Sequence, residues 1–297
     1  MVLKKLVIFG VGLIGGSVAL ALKKAGFVTH IVGVGRNYYG LEKALELGVI
    51  DSSCSGLESN IHADCAQADM ILIAAPVAQT ANILRSIKPH LNAQTVITDA
   101  GSTKGDVLAS AREILGNQFS QFVGGHPIAG AEKSGVSAAN CDLFLGKNVV
   151  LTPNFSPTPA TNIHAVLAVR EMWQQCGAIV SEMTAENHDA IFAAVSHLPH
   201  LLAFALVDDI ASRPNAAELF SFAASGFRDF TRIASSSPEM WRDISLANKT
   251  ALLKEITAFE TELNQLKQLL INDNAADLQS LFERANVARN NWANSKK

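Results

Sequence analysis

Cysteine is scarce in this chain: four in 297 residues (Cys54, Cys65, Cys141 and Cys176), with no C-x-x-C pair among them. That scatter supplies neither a disulfide framework nor a thiolate metal knot, and it fits reduced thiols in a cytoplasm. Charge of one sign is lacking as well. With 24 Lys and Arg against 27 Asp and Glu, the formal net charge is -3, which leaves no basic footprint for nucleic acid or an anionic membrane. Unbroken apolar runs of membrane-spanning length are also missing, because Gly15 and Gly16 interrupt the first and Pro199 the longest. The N-terminal MVLKKLVIFG is basic and then apolar, but its apolar part is too short for a secretory leader. It runs straight into a glycine turn and reads as a first strand. There is no internal repeat and no low-complexity block. What remains is a chain long enough for one large core or two smaller ones.

Two halves differ in texture. Through about residue 152, short β-branched runs alternate with helical patterns, the habit of a parallel α/β sheet. The expected strands are LVIF (6–9), IVGV (31–34), MILIAA (70–75), TVITD (95–99), QFVGG (121–125) and NVVLT (148–152). Helical patterns lie between them in SVALALKKAG, YGLEKALELG, TANILRSIKPHL and KGDVLASAREILG. The loop PNFSPTP (153–159) follows, then a helix at about 160–176 and a last short strand, AIVSEM (178–183). Beyond it the sequence is almost wholly helical. Ala185 to Ser212 reads as one apolar-rich helix, N-capped by Thr184 and bent at Pro199. The end, NNWANSKK, is polar and is expected to fray.

The first chemical motif is Gly10-Val11-Gly12-Leu13-Ile14-Gly15, after a strand-like run and at the start of a helix. That context is what a dinucleotide fingerprint requires. Gly10 permits the tight turn, Gly12 lets a pyrophosphate approach the backbone, and Gly15 lets the helix pack close. The opening turn, with Leu13 and Ile14, then presents N–H groups and a helix dipole to the phosphates. At the end of the second run, where a carboxylate would bond the adenosine ribose, Gly35 stands and Arg36 follows. This exchange favours NADP over NAD. The alternative is that Arg36 is a plain surface residue and NAD binds without the carboxylate.

Ligands of an open parallel sheet sit beyond the carboxyl ends of its strands. There lie Ala75-Pro76-Val77, Gly101-Ser102-Thr103-Lys104 and Gly125-His126-Pro127, on one rim with the glycine turn. His126, within GGHPIAGAEKSG (124–135), is the candidate proton carrier, since histidine titrates near neutral pH. The surrounding glycines read as room for a cofactor ring to approach the backbone. Lys133 acquires no role. Ser102 is either the N-cap of a helix beginning at Thr103, the group that orients His126, or both.

The helical half contributes His188, His197 and His200. At about 100° per residue, His188 and His197 fall half a turn apart on a straight helix and are expected on opposite sides. His197 and His200 share a face, but no thiol or carboxylate pattern completes a metal site, and no metal is expected. The pair either faces the cleft to bond an anionic or hydroxylated substrate or lies buried and satisfied. Arg228 and Arg232 sit one helical turn apart among apolar residues, where a guanidinium needs a carboxylate, internal or from a ligand. Trp241 either walls a small aromatic-like substrate or fills the core.

VIFGVGLIGGS, TDAGSTK, GGHPIAGAEKSG, AENHDAIFAAVSHLPH and GFRDFTRIA, in this order and spacing, resemble the prephenate/arogenate dehydrogenase family of tyrosine biosynthesis. The resemblance covers about residues 5 to 280. It implies a Rossmann-type doubly wound domain over 1–160, an all-α dimerising domain over 161–285 and a polar tail over 286–297. It also implies oxidative decarboxylation of prephenate to 4-hydroxyphenylpyruvate or of arogenate to tyrosine, by a homodimer. By the same resemblance His126 matches the catalytic histidine and Ser102 its hydrogen-bonding serine. His200 matches a substrate-binding histidine, Arg232 the arginine that holds a substrate carboxylate, and Trp241 a tryptophan near the site. His197 is taken as its neighbour on the substrate face, and the rim residues Ala75, Pro76 and Gly101 as cofactor contacts. The chain is expected to carry no fused chorismate mutase and no ACT-like regulatory module. Two other readings stay open: a β-hydroxyacid dehydrogenase of the same two-domain design, with Lys249 or Lys254 as its lysine, and a non-catalytic NADP-sensing protein.

Overall fold

The structure, a computed structural model, describes residues 2–55, 59–130, 133–155 and 160–295. Ala131 and Glu132 of the His126 segment and Pro157 and Pro159 of the expected loop lie outside them.

Eight strands form one sheet in the order β3-β2-β1-β4-β5-β6-β7-β8. They are β1 (Leu3–Phe9), β2 (Val28–Gly35), β3 (Ser52–Ser55), β4 (Met70–Ile73), β5 (Val96–Asp99), β6 (Phe122–Pro127), β7 (Asn148–Thr152) and β8 (Ile179–Glu182). The central strands are apolar on both faces because helices cover both. Leu6 and Ile8 of β1 and Met70 and Leu72 of β4 join one core with α1 (Leu13–Lys24), α2 (Tyr38–Glu46) and α6 (Ile163–Gln175). Val7, Phe9, Ile71 and Ile73 point the other way. They meet α3 (Ser59–Gln67), α4 (Thr80–Ile87) and α5 (Gly105–Leu115). This is a doubly wound sheet, and its order reverses between β1 and β4, where ligands of such sheets bind.

β3, with the sequence SSCS, carries no strand signal; pairing with β2 makes it a strand. The all-parallel expectation holds only to β6. There β7 runs antiparallel, with Gly124 opposite Thr152 and Pro127 opposite Val149. A strand's direction is set by how the chain returns to the sheet, which its own composition does not encode. β8 then pairs parallel with β7, and α6 crosses between them, burying Trp173, Met172 and Val169. The expected boundary at residue 160 thus falls ahead of two elements that belong to the sheet layer.

From Thr184 the chain is helical. α7 (Ala185–Phe192), a π-turn at Ala193–His197 and α8 (Leu198–Ala211) form one continuous rod. Thr184 caps it as expected, its hydroxyl accepting from Asn187 N–H at 3.2 Å. By length and composition this rod could cross a membrane, which corrects the expectation that Pro199 would interrupt the run. The wide π-turn just before Pro199 makes room for the ring that would otherwise strike the carbonyl four residues back. Its His188, Asp189 and His197 are buried, as polar groups facing protein. Three short helices follow: α9 (Ala216–Ser221), α10 (Ser225–Thr231) and α11 (Pro238–Ala247).

The chain divides into two compact units, the first ending at Lys249 and the second starting at Thr250. The second holds all but the first residue of α12 (Lys249–Ile271) and the whole of α13 (Ala275–Asn294), joined by a turn in which Asp273 takes φ 50° and Asn274 caps α13. Of the polar end that was expected to fray, Lys296 and Lys297 lie outside the described residues. α13 continues to Asn294, with Asn290 bonded to Asn286 and Arg289 over the Trp292 ring at 4.8 Å.

Candidate active site

A cleft of about 750 Å³ opens at the carboxyl ends of β1, β2 and β4. Gly10, Gly12, Gly35, Arg36, Ala75 and Pro76, all expected there, line it. Gly10 takes φ +93°, and a Cβ on it would sit 2.6 Å from the Ala74 carbonyl oxygen. A Cβ on Gly15 would strike the Gly10 carbonyl, so Gly15 serves helix packing rather than the cleft. Gly12 differs: a Cβ there would meet nothing within 4 Å, because its open side faces the cleft. The first bond of α1 runs from Gly16 N–H to the Gly12 carbonyl, and no side chain caps this end. The N–H groups of Leu13, Ile14 and Gly15 are therefore left for an anion. A dinucleotide pyrophosphate fits this turn.

Gly135 and Val136 also line the cleft, which the sequence reading missed. A segment downstream of His126 folds back onto α1, where Asn140 N–H donates to Ser17 Oγ at 2.9 Å. Gly101 does not line the cleft. Its N–H donates to Asp99 Oδ2 at 2.8 Å, and a Cβ there would press on Val77 and Asp99.

Asp99 and Lys104 form a wholly buried ion pair beneath His126. β6 leaves β5 after Val123, so the next backbone groups on that side have no strand partner. The pair replaces it. Gly125 N–H donates to Asp99 Oδ1 at 3.0 Å, and Lys104 Nζ donates to the Gly125 carbonyl at 2.8 Å. The peptide groups just before His126 are thus clamped by side chains where the ladder ends. This changes the meaning of the two glycines. A Cβ on Gly124 would strike Thr152 Oγ1, and one on Gly125 would lie 2.7 Å from the Asp99 carbonyl oxygen. They make room for the protein's own clamp rather than for a cofactor ring.

His126 Nδ1 lies 2.8 Å from His188 Nε2, and His188 Nδ1 lies 2.8 Å from Asp189 Oδ1. Asp189 also accepts from the N–H groups of Lys104 (2.9 Å) and Gly105 (2.8 Å), so it caps α5 across the fold. Ser102 was expected to cap that helix. α5 begins instead at Gly105, and the Ser102 hydroxyl bonds no described group. Burial is the largest influence on His126, and with His188, Lys104 and His197 nearby it holds the ring's pKa well below the ordinary value. Burial raises the Asp189 carboxyl, but His188 and the two backbone N–H groups outweigh it and keep it below the usual range.

The helical wall carries the remaining candidates. The His200 ring stacks on Trp241 with centroids 3.6 Å apart, and its Nδ1 lies 2.8 Å from the Ser196 carbonyl oxygen. Arg232 follows α10 in a 3-10 turn packed on α8, close enough to His200 to lower its pKa after burial has done so. Arg232 and Arg228 are both exposed, so neither is the guanidinium in an apolar setting that the sequence suggested. His197 is 1% exposed. The π-turn adds about one residue to the helix, a phase change of about 100°. His197 therefore comes round toward His188 and His126 instead of opposite them, and it depresses the pKa of His126. Asn248 Nδ2 ties it in, 3.1 Å from His197 Nδ1 and 2.8 Å from the Asp189 carbonyl oxygen. No group of three or more metal-ligating side chains comes together among the described residues.

Comparison with known proteins gives a consistent match. Residues 18–182 match the family model described as "Prephenate dehydrogenase, nucleotide-binding domain", and residues 184–284 the one described as "Prephenate dehydrogenase, dimerization domain". The chain is 38% identical over 278 residues to a prephenate dehydrogenase of Bacillus subtilis, covering 93% of this chain and 72% of that protein. It is 30% identical over 290 residues to a cyclohexadienyl dehydrogenase of Zymomonas mobilis, covering 97% and 96%. Among solved structures, prephenate dehydrogenase of Aquifex aeolicus, in complex with hydroxyphenyl propionate and NAD+, superposes with a TM-score of 0.90. It is 38% identical, over 97% of this chain and 98% of that one.

Proposed function

The chain belongs to the prephenate dehydrogenase family of NAD(P)-dependent oxidoreductases in tyrosine biosynthesis, and on that premise we propose that His126 is its catalytic base. The hydrogen bonds running from His126 to Asp189 carry this reading. Asp189 is ionised and can only accept, so His188 Nδ1 holds the proton between them. Neutral His188 then presents a lone pair at Nε2, and His126 Nδ1 must donate to it. The remaining nitrogen, His126 Nε2, is left unprotonated. A lone pair fixed there is what a hydroxyl proton needs.

NAD(P), when bound, supplies the hydride acceptor for C4 of the cyclohexadienyl ring. His126 Nε2 takes the C4 hydroxyl proton as the C4–H electron pair leaves, and C4 becomes a carbonyl carbon. The imidazolium so formed donates through His188 toward Asp189, which stabilises it. Loss of CO2 from C1 sends that bond's electrons into the ring and onto the C4 oxygen. His126 returns its proton there, leaving a phenol. Arg232 supplies charge for a substrate carboxylate, and His200, whose Nδ1–H is committed to Ser196, offers Nε2 to the substrate. Ser102 stands on the same rim with its hydroxyl available to a bound substrate.

Incubation with prephenate or arogenate and either cofactor should raise the absorbance of reduced nicotinamide. No reduction with any of the four combinations would sink this reading. Arg232→Ala should raise KM by about tenfold or more while kcat changes little, as for a lost charged contact made equally in ground and transition states. An unchanged KM removes Arg232 from the site.

NADP is favoured over NAD in this reading, because Gly35 leaves no carboxylate to repel a 2′-phosphate and Arg36 stands exposed on the cleft rim. Arg36→Ala should lower kcat/KM about tenfold with NADP and little with NAD. A wild-type preference for NAD would overturn this choice. A homodimer formed through the C-terminal helices belongs to the same reading. It is supported by the dimerization-domain match and by exposed Leu263, Leu270, Phe282 and Trp292 on α12 and α13. So does a cytoplasmic location, with no disulfide joining any of the four cysteines.

A further inference from the structure

Asn248 follows α11, is 5% exposed and belongs to no motif that the sequence singled out. Its amide orientation is settled by one neighbour: the Asp189 carbonyl oxygen can only accept, so the atom 2.8 Å from it is the NH2 nitrogen. The same nitrogen lies 3.1 Å from His197 Nδ1, which must therefore be the acceptor. A neutral ring that accepts at Nδ1 carries its hydrogen at Nε2. His197 Nε2 is fully buried and has no hydrogen-bond partner among the described residues. A buried donor left unpaired is destabilising, so a fold that keeps one has a use for it.

Resting on the function proposed above, we propose that Asn248 is a positioning residue that fixes His197 as its Nε2–H tautomer, offering the substrate a buried donor. The donor stands among the groups that handle the ring. His126, His188 and His200 surround His197, and Trp241 lies edge-on to it with centroids 6.0 Å apart. A substrate carboxylate or the C4 oxygen would satisfy the donor, so binding recovers what burial cost. His200 contributes the opposite polarity, its Nε2 being the free lone pair of a ring that donates at Nδ1. The two histidines, three residues apart on the helical wall, therefore present one donor and one acceptor and can orient a substrate rather than merely attract it.

Burial pushes the His197 pKa down to about 4, with Asp189 opposing the shift and His188 and His200 adding to it. The wild-type ring is then neutral at working pH, and its donor does not depend on titration. Asn248→Asp puts an acceptor where the NH2 stands, which gives up the bond to the Asp189 carbonyl and, with the carboxyl ionised, draws a proton onto Nδ1. Below the new pKa, Nε2 keeps its hydrogen as well; above it, Nε2 becomes a lone pair.

The test is long-range 1H–15N correlation on holoprotein labelled with 15N-histidine, with the His197 signal identified by its loss in His197→Gln. In the wild type, His197 should read as the Nε2–H form from about pH 6 to about pH 9, and its KM for prephenate should show no dependence on this ring. In Asn248→Asp, Nδ1 should be protonated throughout, and KM should rise about tenfold across that range as Nε2 loses its proton. A wild-type ring protonated at Nδ1 overturns the proposal, and so does an Asn248→Asp protein with unchanged tautomer and pH-flat KM. If the variant does not fold, the wild-type spectrum alone decides. That spectrum requires no turnover, so a protein that fails to oxidise prephenate or arogenate leaves the tautomer measurement intact.

Discussion

His126→Asn lowers kcat by at least about a hundredfold, the lower end for a lost general base, while KM for the substrate stays within a few-fold of wild type. Asparagine keeps a polar group of similar reach toward His188, so the clamped strand and the relay helix have no reason to move. What disappears is the lone pair at Nε2. Stopped-flow or steady-state kinetics with saturating cofactor reads both constants. Turnover near wild type would remove His126 from the reaction. The pH profile adds a second check. The base is competent only when neutral, and burial with the neighbouring His188, Lys104 and His197 holds its pKa well below the ordinary 6.5. The acid limb of kcat/KM should therefore lie below that of a free imidazole, and wild-type activity should persist as pH falls through 6.5. A limb at or above that value contradicts the buried setting. The sign for stability is the same. The unfolded chain binds protons that folded His126 refuses, so the protein loses stability progressively as pH falls below about 6.5.

Asp189→Asn should also cost about a hundredfold or more in kcat, although Asp189 is not placed to touch the substrate. Its carboxylate serves three donors: the His188 ring and the N–H groups of Lys104 and Gly105. An amide has one oxygen for that work. With the oxygen turned to His188 and Lys104, the NH2 faces Gly105 N–H and the anion behind the relay is lost. Turned the other way, it forces the His188 proton onto Nε2, and His126 then carries its own proton at the wrong nitrogen. Either arrangement weakens proton uptake at His126, the second by abolishing it. Cofactor affinity, measured by fluorescence titration, should be unchanged, because the glycine turn takes no part. A variant that folds and turns over within about threefold of wild type would show that the relay is ornamental.

The parts of this site written in short segments were legible. The glycine turn announces itself because backbone freedom and helix packing each demand glycine at fixed offsets, and the structure puts Gly10 at a positive φ and Gly15 against the Gly10 carbonyl. His126 was legible from its place at the end of a strand. Its partners were not: His188 lies 62 residues away and Asp189 reaches α5 from 84 and 85 residues away. Asn248 closes the same network from 59. Separations like these are set by the fold, and no local pattern records them. The one available signal was the side-by-side His188-Asp189, read past because a straight helix seemed to scatter the histidines. A π-turn has no residue signature of its own, and Pro199 hinted only at a bend. Gly124 and Gly125 were visible but misread, since the side chains that crowd them come from β5, α5 and β7.

The carboxylate of Asp189 also governs how the molecule can move. It joins the start of α5, under the sheet's rim, to α7, the first helix of the wall opposite. A hinge that swung this wall away would have to break two backbone bonds to one largely buried anion, each worth about 1.5–3 kcal/mol, and the His126–His188 bond beside them. Opening by that route is uphill by several kcal/mol, so the closed arrangement is the resting one, and the contact between Lys104, Gly105 and Asp189 behaves as a rivet. The machinery that handles the proton stays assembled between cycles, and each new substrate meets a base already facing the right way.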